Sequence, residues 1–156
     1  SWSLDLADVL HQAEERGYGS IRFTPAAQSI AALDVALDFF DAEGGRAARL
    51  ARYAANARVI HEGFAAMGLS PFLPWAKQGP VIVNARQPVD DPNWDLQRFV
   101  KALKARGYVM SNFSSTEAPT IRVAAIGALS PDDMRQAVAA LGAALDDIGV
   151  RRRAAA

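Results

Sequence analysis

The sequence predicts an α+β fold in which helices pack on one face of a small, mainly antiparallel sheet. Two observations carry this prediction. Long helical patterns fill the chain up to Gly68, and short apolar runs interrupted by proline and glycine then alternate with two further helical patterns. Strands this short and this close in sequence pair most easily in the antiparallel sense. We therefore expect two long helices followed by the order β-β-α-β-β-α in two layers.

Three helices are predicted in the first half of the chain. The first is short and amphipathic and stops at Gly17. The second has Thr24 as its N-cap and Pro25 at its first helical position, and Gly44 ends it. The third runs to Gly68 and carries apolar residues spaced by three or four along its whole length. These residues are Leu50, Tyr53, Ala57, Ile60, Phe64 and Met67.

The second half of the chain predicts short strands and two helices. The predicted elements are strands at 72–73 and 81–85, a helix over 93–106, strands at 108–110 and 120–126, and a final helix. Ser130 followed by Pro131 marks a well-capped start for that last helix. The two helices supply the apolar stripes that would cover the sheet.

Composition excludes several classes of function. Lys+Arg and Asp+Glu both number 17, so no charge imbalance favours a nucleic acid or an anionic membrane as partner. The absence of cysteine excludes disulfides and thiolate metal sites and suits a reducing compartment. No apolar run approaches the roughly 20 residues that span a bilayer. We expect a soluble, cytoplasmic protein.

The sequence contains few of the residue combinations that form common catalytic or metal sites. Both histidines, His11 and His61, fall on predicted helices among charged neighbours, so we predict no metal site and no catalytic triad. Four arginines lie off the apolar stripe of the third helix and are interpreted as a solvated or interface face. They are Arg46, Arg49, Arg52 and Arg58.

Arg122 is the principal candidate for a binding residue. It sits inside an otherwise apolar, strand-like run from Thr120 to Gly127, where a guanidinium must find an anion or reach water. The small residue Ala124 on the same face leaves room beside it. Structural pairing and binding of a carboxylate or phosphonate stay open as alternatives. Thr24 alone reads as a helix cap, although a helix N-terminus can also hold a phosphate.

The order and spacing of several motifs closely resemble the C-terminal part of class V aminotransferases. Within that class the similarity is greatest to the 2-aminoethylphosphonate–pyruvate transaminases. The motifs are Leu4-Asp-Leu, Ile21-Arg-Phe-Thr-Pro, Asp41-Ala-Glu-Gly-Gly, Arg49-Leu-Ala-Arg-Tyr-Ala-Ala-Asn, Gln78-Gly-Pro-Val-Ile-Val and Thr116-Glu-Ala-Pro-Thr-Ile-Arg-Val-Ala-Ala-Ile-Gly. The resemblance extends from about residue 3 to residue 148.

The resemblance implies a pyridoxal phosphate enzyme of fold type I, normally a homodimer, of which this chain is the small domain. It implies amino transfer from 2-aminoethylphosphonate to the 2-oxo acid pyruvate. It further implies that Arg122 binds the acid group of the substrate and that Thr24 reaches the cofactor phosphate of the neighbouring subunit. In domain terms it predicts a linker from an upstream large domain over 1–24, the aminotransferase C-terminal domain over 25–150 and a disordered tail over 151–156.

The family's Schiff-base lysine has no counterpart in this chain. The resemblance places that lysine, and the aspartate that pairs with the pyridine nitrogen, upstream of this segment. Lys77, Lys101 and Lys104 match neither position, so we assign no catalytic residue here. A transaminase needs that lysine to hold the cofactor and to move the proton. We therefore expect the chain alone to be inactive.

Departures from the family pattern leave the amino donor open. They lie at Ala26 and Ala27, at Phe113 and Ser114, and at residues 123–125 after the arginine. A class V enzyme of the alanine–glyoxylate or serine–pyruvate type is one alternative. A stand-alone, non-catalytic module that binds a small anion or a partner is another.

Overall fold

A computed structural model describes residues 5–20, 23–111 and 118–151. Its contacts divide the chain into two compact units, Ser1–Glu43 and Gly44–Ala156. The predicted linker over 1–24 and the predicted C-terminal domain over 25–150 stay predictions. The extended lead at Ile21, the pair Phe113–Ser114 and the tail from 152 onward lie outside the described residues.

The first unit contains two helices. Helix α1 spans Leu6–Arg16, and the Asp5 carboxylate caps it by accepting from the Asp8 N–H at 3.1 Å. Helix α2 spans Ala27–Ala42 and buries none of its residues. As predicted, α2 ends before Gly44, which takes a left-handed conformation with φ 104°.

The predicted N-cap role of Thr24 is wrong. Helix α2 begins at Ala27 with Ala26 at the capping position and without a side-chain cap. The Pro25 carbonyl accepts from the Ala27 N–H at 2.8 Å, so a tight turn delays the first helical turn by two residues. The residue before a proline also favours an extended conformation over a helical one. Thr24 consequently precedes the helix and its side chain is exposed.

The second unit carries the α+β arrangement that the sequence predicts. Its elements are α3 over Gly45–Ala66, β1 over Ile82–Arg86, α4 over Leu96–Ala105, β2 over Thr120–Ala124 and α5 over Pro131–Ile148. Strands β1 and β2 pair antiparallel, with Ile82 opposite Ala124 and Arg86 opposite Thr120. The α+β class is confirmed, although the sheet formed by the described residues has two strands rather than the predicted four.

The predicted strands at 72–73 and 108–110 are wrong. Pro71 makes only an isolated bridge to Ala85, and the Phe72 N–H donates to the Asn84 carbonyl at 2.8 Å. Proline has no N–H to extend such a ladder. Tyr108 donates its N–H to the Leu103 carbonyl at 3.1 Å, so it closes the end of α4 instead of pairing with a strand.

The core lies between the three helices of the second unit and one face of the sheet. Helix α5 packs against α3 and α4, and α3 packs against β1. The largest fully buried side chains include Phe64, Ile60, Phe99, Leu103, Leu145 and Val83. The predicted stripe of α3 is confirmed from Ala57 onward, whereas Leu50 in its second turn is 51% exposed. Burial alternates along both strands, which leaves the opposite face of the sheet open.

Helix α5 begins with the capping interactions that the sequence predicts. The Ser130 N–H donates to Asp133 Oδ2 at 2.8 Å, and the Asp133 N–H donates to Ser130 Oγ at 3.3 Å. The hydrogen bonds from the Ser130 backbone and then its side chain hold the pKa of Asp133 below its ordinary value of 3.8. A lowered folded-state pKa means that this stabilisation is complete above pH 3.8 and is lost as the pH falls through the lower value.

Removing this cap should weaken the fold measurably. We expect Ser130→Ala to lower the free energy of unfolding by about 1 kcal/mol, because the Asp133 N–H loses its Oγ acceptor and the Asp133 carboxylate loses the hydroxyl that donates to it. Urea denaturation at neutral pH measures the loss. Ser130→Asn retains a capping acceptor and should stay within a few tenths of a kcal/mol of the parent protein. Equal losses in the two variants would contradict the capping role.

Candidate anion-binding site

Arg122 lies in the middle of β2, on the open face of the sheet. Its neighbour Ile121 is buried on the core side, whereas the Arg122 side chain is exposed. The guanidinium forms no hydrogen bond or ion pair with any residue in the ranges that the structure describes. The structural pairing that the sequence left open is thus not seen in this part of the chain. A rigid strand therefore presents an unengaged fork of donors, which is the geometry that binds carboxylates and phosphonates in a bidentate manner.

Asn84 stands directly opposite Arg122 in the sheet. Its carbonyl accepts from the Phe72 N–H at 2.8 Å, so its backbone points away from β2. Residues opposed in this way have Cβ atoms only about 4.5 to 5.5 Å apart. The Asn84 Oδ1 is buried and has no hydrogen-bond partner among the described residues. Asn84 is thus the cross-strand neighbour of Arg122.

A cavity of about 470 Å³ adjoins Arg122. It is bordered by β2, by the extended segment 108–110 and by the first half of α5. Apolar lining side chains include Tyr108, Val109, Met110, Leu129, Met134 and Ala137. Arg122 and Asp133 are its charged members, and the Asp133 carboxylate is already engaged by Ser130. The arrangement suits a small molecule that joins an acid group to a compact apolar body.

Thr24 belongs to the first unit and Arg122 to the second. The Thr24 side chain is exposed and makes no hydrogen bond with the residues that the structure describes. Because Ala26 supplies no side-chain cap, the first N–H groups of α2 also lack a side-chain acceptor at the capping position. A hydroxyl beside open helix amides is a combination that can bind a phosphate.

None of the histidines or lysines is among the residues that line this cavity. His11 pairs with Glu15 at 3.3 Å along α1, and a ring nitrogen of His61 lies 3.1 Å from the Leu73 carbonyl oxygen. Within the described ranges, no three His, Asp or Glu side chains are grouped as a metal site would require. Lys77, Lys101 and Lys104 are exposed, and none of them lines the cavity.

Sequence reasoning missed the side chains that hold the loop after β2. Arg52 is interpreted from the sequence as part of a solvated or interface face, yet it donates to the Gly127 carbonyl at 2.5 Å. Asn56 is fully buried and donates to the Leu129 carbonyl at 2.9 Å. A signal for the burial of Asn56 existed, because it lies three positions after Tyr53 and four before Ile60 of the apolar stripe.

Comparison with known proteins identifies the family. The chain is 44% identical over 150 residues to the 2-aminoethylphosphonate–pyruvate transaminase of Burkholderia ambifaria, which covers 96% of this chain. It is 46% identical over 132 residues to the transaminases of the same name from Burkholderia mallei and Burkholderia pseudomallei, which cover 85% of it. The chain belongs to the aminotransferase family. The resemblance seen in the order of its motifs is therefore confirmed.

Comparison with solved structures agrees with the assignment of this chain to the aminotransferases. The crystal structure of pyridoxamine–pyruvate aminotransferase from Mesorhizobium loti superposes with a TM-score of 0.70 and 31% identity over 85% of this chain. No family model matches the chain. The chain spans 39% and 36% of the length of the Burkholderia relatives and 34% of the length of the Mesorhizobium protein. No helix in its described ranges is long and apolar enough to cross a membrane.

Proposed function

We propose that the complete protein is a pyridoxal phosphate-dependent transaminase that moves an amino group from 2-aminoethylphosphonate to pyruvate, giving phosphonoacetaldehyde and alanine. The relatives at 44% and 46% identity carry that name. The observation that carries the proposal is Arg122, which lines an apolar cavity and whose guanidinium is unengaged among the described residues. This domain would bind the acid group of the substrate while the chemistry takes place on residues supplied by the rest of the enzyme.

Arg122 suits this role for electrostatic and geometric reasons. Its fork can donate two parallel hydrogen bonds to a phosphonate or to the carboxylate of pyruvate, and its strand fixes the direction of those bonds. The same side chain can therefore serve both half-reactions, since each substrate carries an acid group at one end. The apolar lining contributed by Met110 and Leu129 would exclude water around that ion pair and strengthen it.

Thr24 is proposed to contact the cofactor phosphate of the neighbouring subunit in a homodimer. Because Thr24 does not cap α2, its hydroxyl is available to donate to a phosphate oxygen. The residues present thus fit the phosphate end of pyridoxal phosphate. The cofactor, when bound, supplies an electron sink for the carbon that exchanges the amino group. This chain contains no cysteine, which suits a reducing compartment. We therefore propose that the complete enzyme is cytoplasmic.

A comparison of amino donors tests this proposal. The complete enzyme, loaded with pyridoxal phosphate, is assayed with 2-aminoethylphosphonate, alanine, serine or pyridoxamine as the amino donor. Pyruvate is the acceptor in each assay except that with alanine, where glyoxylate replaces it. We expect the largest kcat/KM for 2-aminoethylphosphonate, because its phosphonate offers Arg122 the doubly charged partner. A larger kcat/KM for serine or alanine would instead assign the enzyme to the alanine–glyoxylate or serine–pyruvate type.

A further inference from the structure

The loop between β2 and α5 is fastened to helix α3 at both of its ends. Asn56 of α3 is fully buried, and its Nδ2 donates to the Leu129 carbonyl at 2.9 Å and to the Ala125 carbonyl at 3.4 Å. One side-chain amide thus contacts the first and the last residue of the loop 125–129. The loop is short, and Ala125 is only three positions beyond Arg122.

Two further side chains of α3 hold the middle of this loop. Arg52 Nη1 donates to the Gly127 carbonyl at 2.5 Å and to the Leu129 carbonyl at 3.1 Å. The Tyr53 hydroxyl accepts from the Gly127 N–H at 3.4 Å. Gly127 has φ 106°, a conformation that side-chain-bearing residues rarely adopt, so the loop follows a path that these contacts hold in place.

These contacts matter for the direction of the Arg122 side chain. Strand β2 is paired on one side with β1, and its last residue leads directly into the fastened loop. If the loop shifts, the end of β2 and the Arg122 fork shift with it. A displacement of about 1 Å at a substrate-binding group can cost on the order of 100-fold in rate.

We propose that Arg52 and Asn56 are positioning residues that orient the Arg122 fork toward the acid group of the substrate. The proposal rests on the substrate-binding role of Arg122 proposed above. Arg52 and Asn56 do not touch the substrate in this account. They act through the carbonyls of the loop, and the Leu129 carbonyl accepts from both of them.

A binding cycle on the complete, cofactor-loaded enzyme tests this proposal. The probe is phosphonoacetate, whose affinity is measured by isothermal titration calorimetry for the parent, Arg52→Ala, Arg122→Ala and the double variant. We expect Arg52→Ala to weaken binding by about tenfold and Arg52→Lys to recover part of that loss. In the Arg122→Ala background, Arg52→Ala should have no further effect, because its influence passes through Arg122.

Control variants separate this effect from a general loss of stability. Arg58→Ala removes another arginine of α3, one that pairs with Glu62 at 3.3 Å and not with the loop, and it should leave the affinity for phosphonoacetate unchanged. Asn56→Asp replaces a donor with a carboxylate that the two carbonyls repel, and should weaken binding at least as much as Arg52→Ala. If it prevents folding, the Arg52 variants still decide the question.

The outcomes distinguish the two proposals. Unchanged phosphonoacetate affinity in Arg122→Ala would overturn the substrate-binding role of Arg122, and the positioning role with it. A loss in Arg122→Ala together with parent-like affinity in Arg52→Ala would overturn only the positioning role. Additive losses in the double variant would also overturn it, since they would show that Arg52 acts independently of Arg122.

Discussion

Arg122→Ala in the complete enzyme should lower kcat/KM for 2-aminoethylphosphonate by about 30- to 1000-fold, which corresponds to about 2 to 4 kcal/mol of transition-state binding. The loss should appear mainly as a higher KM, because the guanidinium binds an acid group that does not itself react. Pyruvate should show a similar loss in the second half-reaction. Steady-state kinetics with each substrate varied in turn measures both effects.

Two variants control for this result. Arg122→Lys retains the charge but not the two-pronged donor geometry, so we expect it to recover only part of the lost kcat/KM. Arg86→Ala removes another cation from the same open face, one whose guanidinium lies 5.0 Å from the centroid of the Phe72 ring. It should leave KM for both substrates unchanged. A parent-like kcat/KM in Arg122→Ala would reject the binding role of this residue.

Phe64→Ala should produce the largest loss of stability. Phe64 is fully buried in α3 and belongs to the cluster formed with Phe99, Leu103 and Leu145. Truncating it removes a large apolar surface and leaves a cavity in a core shared by three helices and the sheet. We expect the free energy of unfolding to fall by about 3 to 5 kcal/mol. Urea denaturation, with an unchanged dependence on denaturant concentration, measures this loss.

The matched control for Phe64 lies on the same helix. Leu50 is 51% exposed, so Leu50→Ala should change the free energy of unfolding by no more than about 0.5 kcal/mol. Similar losses of unfolding free energy in the two variants would contradict the burial of Phe64 in the core.

The helices could be predicted from the sequence because their signals are local. The apolar spacing of α3 and the Ser130 cap of α5 both depend on residues within a few positions of one another. The strand of Arg122 was also predictable, since it is a short apolar run. The one charged residue within that run marked Arg122 as a candidate for binding. Arg122 is exposed and unengaged among the described residues, and its binding role stays a prediction.

The parts that sequence reasoning placed wrongly depend on contacts outside their own segment. Segment 108–110 has the composition of a strand, yet the end of α4 takes the N–H of Tyr108. Thr24 before Pro25 has the pattern of a cap, yet the turn at Pro25 moves the helix start to Ala27. A local pattern could indicate that Asn56 is buried but not its partner, because the hydrogen bond to Leu129 joins residues 73 positions apart.

The most direct test of the proposed amino transfer is a half-reaction without pyruvate. The complete, cofactor-loaded enzyme is mixed with 2-aminoethylphosphonate, and the phosphonoacetaldehyde formed is quantified alongside the change in cofactor absorbance. We predict about one equivalent of aldehyde per active site, with the amino group retained on the enzyme until pyruvate is added. No aldehyde from the phosphonate, with full conversion of the cofactor by alanine or serine, would contradict the proposed function.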